Sequence, residues 1–528
     1  MDKIIGFLIT KDKVLPKVDI FNIGLKTIVI KHGSYYVFLW GLGNINKYKI
    51  DGIYSLSFPL NAGLLDRNLL IGFKNDKIVI ENDWLGSIPV FYNKKHKIIS
   101  TLSNFCIKEK HIHQEGLANY CEFGYSVFEQ TIFTDVMFMR YYSKLIITND
   151  NVSIVYKSDP LTDYSFSYKK SQEKDVISLM QKYVSSIEDI THGQIILPTS
   201  GGYDSRLLNY LVKDKNRIRS FTYGISKNQS LSSEVVYAKE ISEIYNTVWQ
   251  QIELKDYNKY IDNWFQVYGI STHLHGMYHI EFYKNILKKY QFNNASFLSG
   301  IFGDIWSGNV NYKNITNYQD VINLGYTHDL NLDLKYLKNI SEDRAKKSFY
   351  KKNKKYIKHD KFKSVFTIRI KLMLISYLCQ LPEYFGFPVW TPFLNFNIVM
   401  STLNISDVRR KDRIWQSDFF REKKLNLEEM NLKSVRKNNI AFEVAKKTNF
   451  EPIDINIMGK YIFEKRLLQI NKILNGNQNI FKKITDYLIQ IPKIGGFLIK
   501  LGFENDYLKA INEYYVVKSI EKGIKYGN

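Results

Sequence analysis

Residues 195–208 read IILPTSGGYDSRLL, an apolar run that empties into a glycine-rich turn and then a helical pattern. The stretch 195–199 suits a buried strand ending at Thr199, and Ser200-Gly201-Gly202-Tyr203-Asp204-Ser205 makes the turn. Paired glycines let a backbone approach an oxyanion closely. Amides at the helix start, with the Ser200 and Ser205 hydroxyls, then face phosphate. Asp204 would repel that ligand unless it holds a divalent cation, and Mg²⁺ is the expected one. The string has neither the GK[ST] of a P-loop nor the GxGxxG of a dinucleotide fold. A tight turn without a ligand is the plain alternative.

Such a turn needs a parallel sheet behind it. After a polar stretch at 159–168, read as a linker, the segment 173–190 has helical spacing and leads into the 195–199 strand. RLLNYLVKD then reads as helix, IRSFTYG as strand, SSEVVYAKEISEIY as helix and TVWQQIEL as strand. Alternation of this kind builds a parallel sheet covered on both faces, with ligands at the carboxyl ends of its strands. Residues 1–155 read differently, as short β-branched and aromatic runs separated by KHG, KND, NKK and TND. One helix, about 113–123, interrupts them, so an antiparallel two-sheet unit is expected. YHIEFYKNILKKY, KFKSVFTIRIKLMLISYLCQ and the last hundred residues read as long helices, and Asn-rich NVNYKNITNYQD as a loop.

The chain has 528 residues, which at roughly 150 per domain implies two to four units. Hydrophobic residues at 45% and aromatics at 15% exclude a disordered chain, and 10 Pro with 29 Gly exclude a collagen-like or low-complexity one. Lys+Arg of 74 against Asp+Glu of 52 gives a net charge of +22. The basic residues are scattered, without zinc-finger spacing or an arginine-rich arm, so nucleic acid is not the expected partner. The densest run, 351–363, reads either as a solvated helix face or as a docking patch for something acidic. Cys106, Cys121 and Cys379 are too few for a disulfide framework and point to a reducing, cytoplasmic setting. No signal-peptide pattern and no 18-residue apolar segment is present. Residues 491–503, IPKIGGFLIKLGF, come nearest, too short and charged to span, which leaves peripheral membrane contact open.

SGGYDS matches the SGGxDS pyrophosphate loop of ATP pyrophosphatases, and the rest of the chain resembles the asparagine synthetase family. FLSGIFGDIWSGN at 297–309 is similar to that family's S-G-x-x-x-D-E-L-x-G-G motif, with Ser299, Gly300, Asp304 and Gly308 in register. FTYG, carrying Tyr223 and Gly224, resembles the strand that holds adenine, and Glu234 and Ala238 fall where the next helix carries an acid and an alanine. Residues 385–405 resemble the stretch written RVPFLD in asparagine synthetases. MDKIIG, ENDWLGSIPVFY (81–92) and EGLANYCEFGYSVFEQTIF (115–133) are similar to segments of the family's glutaminase domain.

The resemblance implies a multidomain α/β and α+β protein. It would have an Ntn-hydrolase-like antiparallel β-sandwich with flanking helices over 1–158, a degenerate class II glutamine amidotransferase-like domain. A parallel-sheet PP-loop domain of the adenine nucleotide alpha hydrolase type would occupy 168–430, and a helical extension 431–528. ATP and Mg²⁺ would be the cofactors. The metal would lie on Asp204 and Asp304, the nucleotide against Thr199, Ser200, Gly201, Gly202, Asp204, Ser205, Tyr223, Gly224, Ser299 and Gly300. Lys411 and Arg413, in RRKDRIWQSDFFREKK, are the candidate cations for the phosphates, with a solvated surface as the alternative. The implied reaction adenylates a carboxylate, releases pyrophosphate and passes the acyl group to ammonia or an amine.

The departures narrow this. Position 2 is Asp2 where the family's glutaminase has its nucleophilic cysteine, and a carboxylate cannot replace a thiolate there. Ile301 stands where asparagine synthetases carry a glutamate, so it can serve no proton transfer. His273 and His275 in YGISTHLHGMYH are candidates for that role, His275 the first choice. SGGYDSR resembles divergent members linked to surface-polysaccharide synthesis, where a sugar uronic acid would be amidated. β-Lactam synthetases and lasso peptide cyclases are relatives that also lost the nucleophile. The partners would then be a small carboxylate and an amine, or a nucleotide- or lipid-linked sugar, or a peptide. A non-catalytic nucleotide-binding scaffold and a tRNA-modifying enzyme are the readings from other classes.

Overall fold

The computed structural model describes residues 2–60, 63–162, 170–310, 312–327, 329–340, 342–476, 480–489, 491, 494–500 and 504–526. Two antiparallel six-stranded sheets occupy the N-terminal region and one parallel five-stranded sheet follows, so the fold is mixed α/β. Edge to edge, the first sheet runs Val136–Phe138, Phe91–Asn93, Ile98–Ser100, Lys3–Thr10, Tyr35–Leu42, Lys26–His32. The second runs Val152–Tyr156, Ser143–Ile147, Lys77–Asn82, Leu69–Lys74, Ile53–Ser55, Lys49–Ile50. Alternation along the strands builds one core from both sheets, with Ile4, Phe7 and Ile9 meeting Leu69, Ile71, Ile78, Ile80 and Leu145.

Lys3–Thr10 is buried along its whole length because both of its faces are covered. Ile5 and Leu8, opposite the sandwich core, belong to the large core formed with the rest of the chain. This carries Lys3 inside, where it forms an ion pair with Glu383 and donates to the Leu56 carbonyl. Arg67 binds the same carboxylate with both terminal nitrogens, at 2.8 and 3.0 Å. Burial pushes the Lys3 ammonium down to about 7, against the pull of Glu383.

The third sheet runs Val248–Gln251, Ile218–Thr222, Ile195–Pro198, Ser296–Leu298, Val389–Trp390, all neighbours parallel. Ile195, Ile196, Leu197 and Leu298 are fully buried, as a strand covered on both faces requires. Helices Tyr203–Leu211 and Ser233–Tyr245 form where the sequence predicts them, as does Gln114–Phe123, which His113 caps by accepting from the Gly116 amide.

The stretch read as one long helix around 361–380 is instead three, Asp360–Ile370, Leu372–Ile375 and Tyr377–Glu383. The first is bent by 63° from the others at Lys371, whose backbone (φ −76°, ψ 2°) ends one helix and starts the next. Among the described residues no single helix is long and apolar enough to cross a membrane. The expected linker 159–168 lies outside the described residues from 163 on, and its first residue, Asp159, is held by Arg369 at 2.6 and 3.0 Å. The three cysteines are buried and free.

Removing one partner of a buried ion cluster leaves an uncompensated charge, whereas an apolar replacement of an over-supplied cation does not. Glu383→Ala is therefore expected to lower unfolding free energy by about 3–5 kcal/mol. Lys3→Met, which leaves the Arg67–Glu383 pair intact, should be neutral or stabilising. Urea denaturation of the two variants beside the parent chain checks this.

Candidate active site at the sheet switch point

Strand order reverses between Ile195–Pro198 and Ser296–Leu298, and both glycine motifs leave the carboxyl ends of these two neighbours. In the first loop the Ser200 amide donates to Ser205 Oγ at 3.2 Å, and the Gly202 amide to Ser200 Oγ at 3.4 Å. Ser205 Oγ donates to the Gly202 carbonyl at 3.1 Å, closing the turn onto the helix that Gly202 begins. Gly201 has φ 75°, and a Cβ there would lie 2.1 Å from Tyr237 Cβ, so only glycine fits. Thr199 accepts from Asn209 Nδ2 at 3.0 Å and anchors the strand end.

Arg206, a residue to which the sequence reading gave no role, holds this loop from behind. It is fully buried, donates to the Gly201 carbonyl at 2.7 Å and pairs with both Glu428 oxygens at 3.0 Å. Its sequence signal is weak, because an arginine in the first turn of a helix usually reaches solvent.

The second loop brings Asp304 to Asp204. A Cβ on Gly303 would lie 2.5 Å from both Cγ and Oδ1 of Asp204, so the two motifs meet across this glycine. Burial first, and then the charge of Asp304, push the Asp204 carboxyl up to about 7, against the pull of Arg413, the Gln416 side chain and the Asp304 backbone. Asp204 Oδ1 is buried and makes no hydrogen bond. An orphaned carboxylate oxygen beside a second carboxylate fits a divalent cation, and Asp204 and Asp304 would hold it.

Arg413 lies on a turn where Asp412 and Arg413 both take left-handed backbone, φ 52° and 58°. Its guanidinium sits 4.7 Å from the centre of the Tyr203 ring. Lys411, named with it from the sequence, is exposed on the same turn. A further cation comes from Lys371, at the helix break: burial lowers its pKa while the charge of Asp304 holds it up. Its signal was hidden inside what reads as an uninterrupted helix.

Between the strand ends lies a cavity of about 300 Å³. Thr199, Ser200, Gly202, Asp204 and Ser205 form one side; Ser299, Gly300 and Ile301 face them. Tyr223, Glu234 and His279 are among the residues that line the rest, with aromatic neighbours such as Phe221 and Phe282, and Glu234 Oε2 is buried without a hydrogen-bond partner. Ala238 is buried in the same helix as Glu234. Gly224 is not on the wall; it packs against Gln229, whose oxygen would be 2.2 Å from an added Cβ. Gly201 likewise faces Tyr237 rather than the cavity.

His275 does not line this cavity. Its ring packs between Tyr278 and Tyr515, at 5.5 and 5.8 Å, because Leu274–Met277 turns it toward the Asp506–Lys525 helix. His279, one helical turn further on, reaches the wall instead, with Phe282 and Tyr283 at i+3 and i+4 on the same face. Burial pushes the His279 imidazole down to about 3, so it stays neutral at physiological pH. Its Nδ1 is buried without a partner.

At the N-terminus the Asp2 carboxylate accepts from the Asn44 amide at 2.8 Å and pairs with Lys47 at 2.8 Å. A second cavity, about 290 Å³, lies beside Tyr141, Arg140 and Arg369, and holds none of the loop residues.

No protein-family model matches the chain, and a search of curated proteins finds no match. Among solved structures, the NH3-dependent NAD synthetase from Campylobacter jejuni in complex with the nitrate ion is similar over 39% of this chain and 96% of that one. The identity is 13% and the TM-score 0.22, a likeness too slight to carry any inference about activity.

Two outcomes follow from this geometry. Gly303→Ala should weaken Mg²⁺-dependent ATP binding at least about tenfold, since the new methyl displaces the Asp204 carboxylate. Calorimetric titration, with thermal unfolding as the fold control, measures it. Asp2→Cys alone should release no glutamate from glutamine above background, because Asn44 and Lys47 are arranged to bind a carboxylate there.

Proposed function

We propose that this chain is an ATP-dependent carbon–nitrogen ligase that forms amides through an adenylated carboxylate. The observation that carries the reading is the buried, unpartnered Oδ1 of Asp204 set against Asp304 above a loop of amides and hydroxyls. A cation held there neutralises phosphate charge and orients pyrophosphate as the leaving group.

On this reading the substrate carboxylate oxygen attacks the α-phosphorus of ATP, and the bond to the bridging oxygen breaks. Ser200, Gly202 and Ser205 cradle the pyrophosphate, and Arg413 meets the charge that builds on the bridging oxygen. The adenine sits toward Tyr223, where the cavity is aromatic. An amine then attacks the acyl carbon and AMP leaves, the amine proton passing to a base or to solvent. Ile301 cannot take it; apart from Asp204, the wall offers Glu234, whose Oε2 is buried without a partner, and His279. With Asp2 at the second position, the nitrogen comes from free ammonia or from the amine substrate itself. A sugar uronic acid is the acyl donor we favour, with a peptide or β-lactam precursor as the rival within the same chemistry.

Exchange of labelled pyrophosphate into ATP, dependent on Mg²⁺ and on a carboxylate from a uronic acid and peptide panel, tests this. Exchange should fall by at least about 10²-fold in Asp204→Asn, the scale of losing a charge-stabilising group. Formation of ADP and phosphate in place of AMP and pyrophosphate would refute adenylation.

The protonation of Asp204 adds a pH signature. Its folded pKa, about 7, is above the ordinary 3.8, so the folded chain holds a proton that the unfolded chain releases. Stability from this group is present at low pH and lost as pH rises through about 7. The Mg²⁺-induced rise in Tm should therefore be larger at pH 8 than at pH 6. Asp204→Asn should remove that dependence and leave the ligand-free protein at least as stable as its parent above pH 7.

A further inference from the structure

Helices Ile480–Ile489 and Ile494–Lys500 pack on one another and present an inverted polarity. Their large apolar side chains face water: Phe481 is 66% exposed, Ile484 52%, Tyr487 56%, Ile494 43% and Phe497 63%. Phe481, Ile484 and Tyr487 recur at three-residue intervals, which puts them along one side of their helix. Gly495 allows the close turn, since a Cβ there would lie 2.1 Å from the Ile489 carbonyl oxygen.

The acidic residue of this pair is turned the other way. Asp486 is buried and accepts from the amides of Asp506 and Tyr507, at 2.9 and 3.2 Å, fixing the pair to the next helix. In residues 480–500 it is the sole acid, against Lys482, Lys483, Lys493 and Lys500 in the sequence. A core-facing helix in water has its apolar stripe inside and its charges outside. Here aromatic and aliphatic side chains are outside, in a segment of positive charge on a chain of net charge +22.

We propose that this helical pair docks on an anionic membrane surface, with Phe481, Ile484, Tyr487 and Phe497 entering the boundary between headgroups and acyl chains. An amphipathic segment lying in the plane of the interface needs apolar side chains on the lipid side and basic residues near anionic headgroups. The charge favours anionic lipid over a second copy of this chain, which would bring the same positive segment against itself. A lipid surface also accepts a pair of helices too short to span it. The site is independent of the nucleotide reading, and none of these residues lines the cavity at the switch point.

Flotation of the full chain with vesicles checks this, comparing 30 mol% phosphatidylglycerol in phosphatidylcholine with phosphatidylcholine alone. Partitioning should be at least about tenfold stronger onto the anionic vesicles and should weaken as salt is raised. The double variant Phe481→Ser/Phe497→Ser should lose at least about tenfold of that partitioning while its Mg²⁺-dependent ATP binding stays unchanged. A single Phe481→Trp variant should blue-shift its emission on anionic vesicles and be quenched by brominated acyl chains. Equal partitioning of parent and double variant would overturn the proposal, as would emission at 481 that lipid does not change. Absence of vesicle binding, with a dimer that the double variant converts to monomer, would assign the face to a second copy instead.

Discussion

Two carboxylates brought together, one of them with a buried oxygen, are the constraint on which the site depends. Asp204 and Asp304 arrive on different loops, and Gly303 is the residue that lets them meet. Burial first, and then the charge of Asp304, raise the Asp204 pKa, and Asp204 Oδ1 is left without a partner. Such an arrangement persists only because the sheet behind it is well packed, with Ile195, Ile196 and Leu197 shielded from water. The cations around it, Arg413 and Lys371, come from later, irregular parts of the chain. Each sits where helix geometry breaks down: Arg413 in left-handed backbone, Lys371 between two helices.

The N-terminal sandwich takes part in this positioning. The Trp84 indole donates to the Leu394 carbonyl at 2.9 Å, and its ring centre lies 6.4 Å from that of Trp306. Trp306 belongs to the short helix that carries Asp304 and itself donates to the Phe393 carbonyl at 2.9 Å. The second motif is thus braced by an indole from the sandwich. The sandwich has a mechanical part in placing Asp304.

Much of this was legible in the sequence where chemistry and local geometry coincide. SGGYDS predicted a strand, a tight turn and a helix, because glycine content and apolar periodicity are short-range signals. The two antiparallel sheets and the parallel one were legible for the same reason. What escaped depends on tertiary direction. His275 and His279 stand four residues apart, and the one facing the cavity is set by packing against Tyr278 and Tyr515. Arg206 turns inward to reach Glu428, a partner over two hundred positions away in sequence. The break at Lys371 carries no glycine or proline to announce it. Gly224 illustrates the converse, a motif position whose small size serves packing against Gln229 rather than ligand contact.

The Lys3–Arg67–Glu383 cluster has a bearing on how the chain matures. Translation delivers the ammonium and the guanidinium with the first strands, whereas the carboxylate that both need follows only after most of the parallel sheet. Until then, closing the sandwich over Lys3 means either burying an unpaired ammonium or giving up its proton. Full pairing of Lys3 thus ties the first strand to the helix Tyr377–Glu383, which follows four of the five strands of the parallel sheet.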